Sequence, residues 1–152
     1  MRTILFITDD GHASKDMVTL LRDLFALATI YQVNGKRASR YLESNTKPDL
    51  IVYMPGLTLD GLRDRFFRIK ALAGRARILL YAEFELAGPS LFDYLAAGAN
   101  GLLSKTSSMA EHHRALDTVM RGDSFVDDAT KRRMLMWNRQ QLAEWKSNIM
   151  TR

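Results

Sequence analysis

The sequence predicts an α/β fold in which helices cover both faces of a doubly wound, five-stranded parallel sheet, with one extra helix at the C-terminus. Short apolar runs, such as Thr3–Thr8 and residues 49–54, alternate five times with longer segments of helical periodicity. Glycine and proline separate the segments at ordinary connection lengths. The chain has 152 residues, of which 47% are hydrophobic and 26% are charged. This size and composition are typical of one globular domain with a short appendage.

The predicted strands are short apolar runs. The segments TILFIT and DLIVYM are almost uninterrupted by polar residues, which is typical of strands buried on both faces. Pro55 and Gly56 end the second of these runs. Strands are expected at residues 3–8, 28–33, 49–54, 77–83 and 101–104.

Each predicted helix combines an apolar stripe with a start or stop signal. Ser14 is suited to cap the first helix, and Pro89 is suited to the first turn of the fourth. Gly74, Gly98 and Gly122 stand where the third, fourth and fifth helices end, as glycine commonly does. Helices are expected at residues 14–27, 36–44, 59–73, 89–97 and 108–121.

Residues 128–152 form a second unit after the domain at 1–127, a basic amphipathic helix that Asp127 or Asp128 caps. From residue 129 onward the chain has six basic residues and one acidic residue, so the net charge of +5 lies entirely in this segment. A 3-4-3-4 spacing places five residues along one seam: Leu135, Asn138, Leu142, Trp145 and Ile149. Such a seam is typical of helices that pair, and its single polar member can select the register.

The composition excludes several classes of function. The chain has no cysteine, which excludes thiol catalysis, disulfides and cysteine-based metal sites. No apolar run reaches the roughly 18 residues of a membrane span and no leader pattern is present, so we expect a soluble, cytoplasmic protein. The neighbours His112 and His113 cannot face one site on a helix, and no nucleophile–base pair or phosphate loop occurs. We therefore expect neither an enzyme, nor a cofactor, nor a metal site.

The residues at the ends of the strands form a recognisable pattern. Asp9 and Asp10 follow the first strand, and PDLIV opens the third at residues 48–52. A Pro-Gly…Asp-Gly loop comes next, and AGANGLLSK at residues 97–105 leads into a fifth strand that ends at Lys105. Over about residues 2–127 the chain resembles the receiver domain of bacterial response regulators, most closely receivers joined to helix-turn-helix output domains. The resemblance implies a flavodoxin-like fold.

In that family, an Asp at the end of the third strand accepts a phosphoryl group. Two acids after the first strand help to bind magnesium, and a hydroxyl and a Lys contact the phosphoryl group. Here Met54 stands at the acceptor position and Ala82 at the hydroxyl position. A thioether is a poor magnesium ligand and accepts no stable phosphoryl group. The resemblance therefore implies a degenerate phosphorylation pocket formed by Asp9, Asp10, Met54, Ala82 and Lys105.

The expected behaviour of this pocket follows from its charges. Met54 is expected to be an apolar plug, and Lys105 is expected to neutralise Asp9, Asp10 or both. Because the acceptor is missing, the sequence predicts a phosphorylation-independent pseudo-receiver. Such a protein acts as a protein–protein interaction and dimerisation module in bacterial signalling or transcriptional regulation.

Two surfaces are candidate partner sites, and the likeness to receivers favours a homodimer. The first is the fourth-helix face, through which receivers commonly associate, with Leu91, Phe92, Tyr94 and Leu95. The second is the C-terminal seam, which either pairs with another chain or folds back on its own domain. As an alternative function, the basic side of the last helix binds nucleic acid. Only one helix fits after Gly122, so no helix-turn-helix is predicted in this sequence.

Overall fold

The computed structural model describes residues 2–9, 14–44, 47–56, 61–83 and 90–150, and describes the side chains of the last helix as far as Arg139. Strands and helices alternate throughout. The strands are β1 (Thr3–Thr8), β2 (Thr29–Val33), β3 (Leu50–Met54), β4 (Arg77–Ala82), β5 (Gly101–Ser104) and β6 (Phe125–Val126). The helices are α1 (Ser14–Leu24), α2 (Gly35–Ser44), α3 (Leu62–Leu72), α4 (Ser90–Ala96), α5 (Met109–Met120) and α6 (Asp128–Met150).

The strands form one parallel sheet in the order β2-β1-β3-β4-β5-β6. The direction of winding reverses between β1 and β3, so their carboxyl ends lie side by side, with Thr8 paired to Met54. In doubly wound folds, the crevice at such a switch point is where ligands bind. The fold therefore brings the ends of β1 and β3 together at the expected site.

The sheet has six strands, and the prediction of five was one short. Phe125 pairs with Gly101, and Val126 pairs with Leu102. The N–H of Phe125 donates to the carbonyl of Asn100 at 3.0 Å. These bonds satisfy backbone groups along the outer edge of β5. A strand of two residues has no measurable periodicity, which is why the sequence pattern does not reveal it.

The core consists of two apolar layers, one on each face of the sheet. Side chains alternate along each strand, so Ile4 and Phe6 pack beneath α1 and α5, whereas Leu5 and Ile7 pack beneath α2, α3 and α4. Met134 of α6 packs against the second layer. None of the helices in the described part of the chain is long and apolar enough to cross a membrane.

The helix bounds differ modestly from the prediction. α1 ends at Leu24 rather than at residue 27, because a turn closed by the N–H of Ala28 and the carbonyl of Phe25, 3.0 Å apart, leads into β2. α3 is described from Leu62, after Gly61 at a φ of 71°. A positive φ suits glycine and marks a sharp change of direction before the helix. Pro89 and the predicted helical residues 59 and 60 lie outside the described ranges.

Candidate functional site

Asp9 lies just after β1, and its carboxylate binds the first turn of α2. Oδ1 accepts a hydrogen bond from the N–H of Gly35 at 2.8 Å. The first N–H groups of a helix lack partners within the helix, and the helix dipole favours a negative charge there. A Cβ on Gly35 would stand 2.6 Å from Oδ1, so glycine makes this close approach feasible. The carboxylate thus joins the end of β1 to α2.

Lys105 and Asp9 form no ion pair with each other in the described part of the chain. The ion pairs within those residues are Arg63–Asp93 and Arg121–Asp117. Asp9 is stabilised by Gly35 instead, because a backbone N–H is fixed in place whereas a lysine must lose side-chain entropy to pair. Asp10 lies outside the described residues, so its pairing with Lys105 stays a prediction.

Met54 closes the carboxyl end of β3. Its side chain is fully buried, at 0% exposure, in the layer beneath α1 and α5. Its carbonyl accepts from the N–H of Asp9 at 3.3 Å, which links the two strand ends. An apolar, packed side chain therefore occupies the position where the family resemblance requires a carboxylate.

The residue beside Met54 on β4 is Tyr81, not Ala82. Tyr53 pairs with Leu80 in the parallel register, so Met54 and Tyr81 come next and share a face. Tyr81 packs against the layer that contains Met54, whereas Ala82 belongs to the layer on the opposite face. Because side chains alternate along a strand, Ala82 points away from Met54, and Tyr81 carries the hydroxyl on the face of Met54. Alternation within the sequence does not fix the register between β3 and β4, so only the folded sheet places Tyr81 beside Met54.

The hydroxyl of Tyr81 joins a network with the start of α5. It lies 2.8 Å from Nε2 of His112, whose Nδ1 lies 2.9 Å from the carbonyl oxygen of Ser108. A carbonyl only accepts, so Nδ1 donates to it, and in the neutral imidazole Nε2 then accepts from Tyr81. Burial, and secondarily the charge of Asp16, raises the pKa of Tyr81, so the phenol keeps its proton at neutral pH. His112 is therefore a satisfied buried histidine rather than a surface residue.

The strand ends are occupied by contacts within the protein. Met54 offers no oxygen, and the carboxylate of Asp9 is held by Gly35. The hydroxyl of Tyr81 is held by His112. Among the described residues, no three His, Asp or Glu side chains are close enough to hold a metal ion. The arrangement joins β1, β3 and β4 to their neighbouring helices.

The fourth-helix face is more buried than the sequence suggests. Leu91 and Tyr94 are 0% and 3% exposed and belong to the core, so they are not accessible to a partner. Leu95 is partly buried against the same layer. Phe92 is 38% exposed, and its ring centroid lies 5.6 Å from that of Trp137 in α6. α6 therefore covers part of the surface that α4 would present.

The base of α6 is anchored by Asp127, which is fully buried. Oδ1 accepts from the N–H of Ser104 at 2.8 Å and from the hydroxyl of Thr130 at 2.7 Å, and Oδ2 accepts from the N–H of Thr130 at 3.1 Å. The first bond ties the helix to β5, and the others cap its first turn. Glu111 of α5 accepts from the N–H of Asp128 at 2.9 Å. Of the two predicted caps, the structure selects Asp127.

The predicted seam begins on the solvent-facing side of α6. Leu135 is 57% exposed and Asn138 is exposed, whereas Met134 packs on the core. Self-packing therefore leaves this first part of the seam uncovered. The rest of the seam lies farther along the same helix, where side chains are outside the described residues: Leu142, Trp145 and Ile149.

No protein-family model and no curated protein sequence matches this chain. Solved structures do match it. The receiver domain of RcsB from Salmonella enterica serovar Typhimurium, in the presence of phosphomimetic BeF3−, superposes with a TM-score of 0.72 at 12% identity, covering 88% of this chain and 98% of that one. This chain has the receiver fold.

Two further receiver structures superpose on this chain with similar TM-scores. A LuxR family DNA-binding response regulator from Silicibacter pomeroyi gives a TM-score of 0.68 at 20% identity, covering 86% of this chain and 99% of that chain. The receiver domain of sensor histidine kinase PA1611 from Pseudomonas aeruginosa PAO1, with magnesium in its active site cleft, gives a TM-score of 0.62 at 26% identity. The match covers 80% of this chain and 98% of that chain. The predicted receiver fold is confirmed, with the added strand β6.

Proposed function

We propose that this receiver fold works without phosphorylation, as a protein–protein interaction module in bacterial signalling or transcriptional regulation. The proposal rests chiefly on Met54, which is fully buried at the end of β3. Phosphoryl transfer to a receiver needs a carboxylate nucleophile at that point, with a cation to offset the developing charge. A packed thioether supplies neither. A change of state must then come from a partner or ligand with different affinities for two conformations.

Incubation of the full chain with acetyl phosphate and Mg2+ is expected to leave its intact mass unchanged. The reason is that Met54 offers no carboxylate at the end of β3, and that Oδ1 of Asp9, at the end of β1, is hydrogen-bonded to the N–H of Gly35. A receiver that has an Asp at the position of Met54, treated in parallel, serves as the positive control. Incorporation of a hydroxylamine-sensitive phosphoryl group at any Asp would falsify the proposal.

We further propose that the module is a homodimer that pairs through the seam of α6. Leu135 is 57% exposed although it is apolar, and Asn138 beside it on the seam is also exposed. A second copy of the same helix offers the complementary knobs and holes, and a symmetric pair would place the two Asn138 side chains against each other. The capped base of α6 fixes the direction in which the seam leaves the domain.

Leu135→Asp is expected to shift the full chain from dimer to monomer in sedimentation equilibrium. A carboxylate inside a paired seam loses its hydration without a partner. Met136→Asp is the matched control, because Met136 is 61% exposed, adjacent in sequence and about 100° away on the helix. Equal effects of the two substitutions, or a monomeric parent chain, would contradict pairing through the seam.

The basic surface of α6 favours a second candidate function, association with nucleic acid. Lys131, Arg132 and Arg139 are exposed on this helix. On this alternative, the chain raises the fluorescence anisotropy of a labelled DNA duplex at low salt, and affinity falls steeply with salt as counterions are released. Replacing these three residues by Gln is then expected to abolish the signal. Absence of binding at low salt would reject this function.

A further inference from the structure

A cavity of about 440 Å3 opens between α2 and α3, beside the carboxyl ends of β1 and β3. Its polar lining comes from both helices and from the strand ends: Lys36, Ser39, Arg65, Arg68, Tyr53 and Asp9. Pockets of this size class hold small organic ligands. The cavity is therefore a candidate small-molecule site.

The cavity is positively charged. Lys36 on α2 and both Arg65 and Arg68 on α3 face a single carboxylate, that of Asp9. Arg65 and Arg68 are three residues apart, so they project from the same side of the helix. Oδ1 of Asp9 accepts a hydrogen bond from the N–H of Gly35 at 2.8 Å. Neither ion pair within the described residues involves Lys36 or Arg68. The formal charges of the lining therefore sum to +2.

One of the cations is held in a defined position. Nε of Arg65 donates to the hydroxyl oxygen of Tyr53 at 3.2 Å. Burial raises the pKa of Tyr53, although Arg65 opposes the rise, so the phenol remains protonated and retains an O–H donor. The hydroxyl of Ser39 stands in the same lining. A ligand therefore meets oriented donors as well as positive charge.

The cavity shares Asp9 with the degenerate phosphorylation pocket but lies on the other face of the sheet from Met54. Tyr53 and Met54 are consecutive on β3 and point to opposite faces of the sheet. Tyr53 faces α2 and α3, and Met54 faces α1 and α5. The family resemblance assigns no role to Lys36, Arg65 or Arg68. Whatever binds here does so independently of a phosphoacceptor.

We propose that this cavity binds a phosphorylated small molecule, with Lys36, Arg65 and Arg68 around the phosphate group. A phosphate monoester carries close to two negative charges at neutral pH, which matches the net charge of the lining. Arginine presents paired N–H donors that fit phosphate oxygens, and lysine adds a compact charge. A volume of about 440 Å3 exceeds that of the phosphate alone, so the remainder accommodates the organic part.

The test is calorimetric titration of the full chain at low salt with glucose 6-phosphate and AMP, and with glucose, adenosine and inorganic phosphate for comparison. At least one ester is expected to bind with a Kd below about 1 mM, and its unphosphorylated analogue is expected not to bind. Arg68→Gln is expected to weaken binding at least about tenfold, because a charge-assisted hydrogen bond is lost. Arg68 is exposed, so the substitution leaves the core intact.

Arg22→Gln is the matched control, because Arg22 is an exposed arginine on α1, across the sheet from the cavity. This control is expected to change the Kd less than about twofold. Equal weakening by both substitutions, or no binding by either ester, would overturn the proposal. If inorganic phosphate binds as tightly as both esters, the cavity does not recognise the organic part of the ligand, and that part of the proposal is wrong. Phosphorylation of the chain at an Asp would refute the proposed function and leave this binding assay unaffected.

Discussion

Asp127→Ala is expected to lower the free energy of unfolding by about 3 kcal/mol, measured by urea denaturation. The carboxylate is fully buried and accepts three hydrogen bonds, one from Ser104 and two from Thr130. Removing the carboxylate leaves buried donors without partners, and each unpaired donor costs up to about 1–3 kcal/mol of stability. The substitution also deletes the N-cap of the helix. For a chain of this length, the loss corresponds to a fall in Tm of roughly 6–12 °C.

Two further variants separate the role of this carboxylate from a general effect of charge. Asp128→Ala removes an exposed carboxylate from the next position and is expected to cost less than about 1 kcal/mol. Asp127→Asn keeps an oxygen that accepts two of the three bonds, and is expected to fall between the parent and Asp127→Ala. A loss for Asp127→Ala no larger than that for Asp128→Ala would show that the buried cap does not stabilise the domain.

Met54→Asp is expected to lower the free energy of unfolding by about 4 kcal/mol at pH 7. The substitution removes a fully buried side chain from the layer beneath α1 and α5 and puts a carboxyl group in its place. Burial raises the pKa of the introduced carboxyl above its unfolded value. The folded state therefore binds the extra proton more readily, and stability relative to the parent chain decreases as pH rises through the folded-state pKa. The deficit should be smaller at pH 5 than at pH 8.

The control at this position is Met54→Leu, which conserves volume and apolarity and is expected to cost less than about 1.5 kcal/mol. In a receiver with an open phosphorylation pocket, a carboxyl at the end of β3 would be solvated and tolerated. A loss below about 1 kcal/mol for Met54→Asp, or one that does not vary with pH, would therefore count against the apolar plug.

The prediction from sequence succeeded where local pattern and burial agree. The runs that became β1 and β3 are apolar on both faces, and both faces are covered by helices. It failed where a contact joins residues distant in the chain. Nothing near Asp9 in the sequence indicates that its carboxylate would meet the N–H of Gly35. The two residues of β6 become a strand only because the edge of β5 offers them partners.

The site was predicted less completely than the fold, for reasons of geometry. Met54 was found by counting from Pro48. The position on β4 was assigned to Ala82 by resemblance, without regard to which face of the sheet its side chain takes. The parallel register settles the matter in favour of Tyr81. His112 could not be distinguished from a surface histidine by sequence, since its partners, Tyr81 and the carbonyl of Ser108, come from a distant strand and a loop.

The length of α6 has a mechanical consequence. Its 23 residues span about 35 Å at 1.5 Å per residue, and buried hydrogen bonds of Asp127 hold its first turn. Met134 and Trp137 also contact the domain, so a tilt of the helix about Asp127, at the end of β5, would shift these contacts as well. A tilt of about 10° at Asp127 would displace the far tip by about 6 Å, so a small rearrangement of the strand ends would be magnified at the other end of the helix.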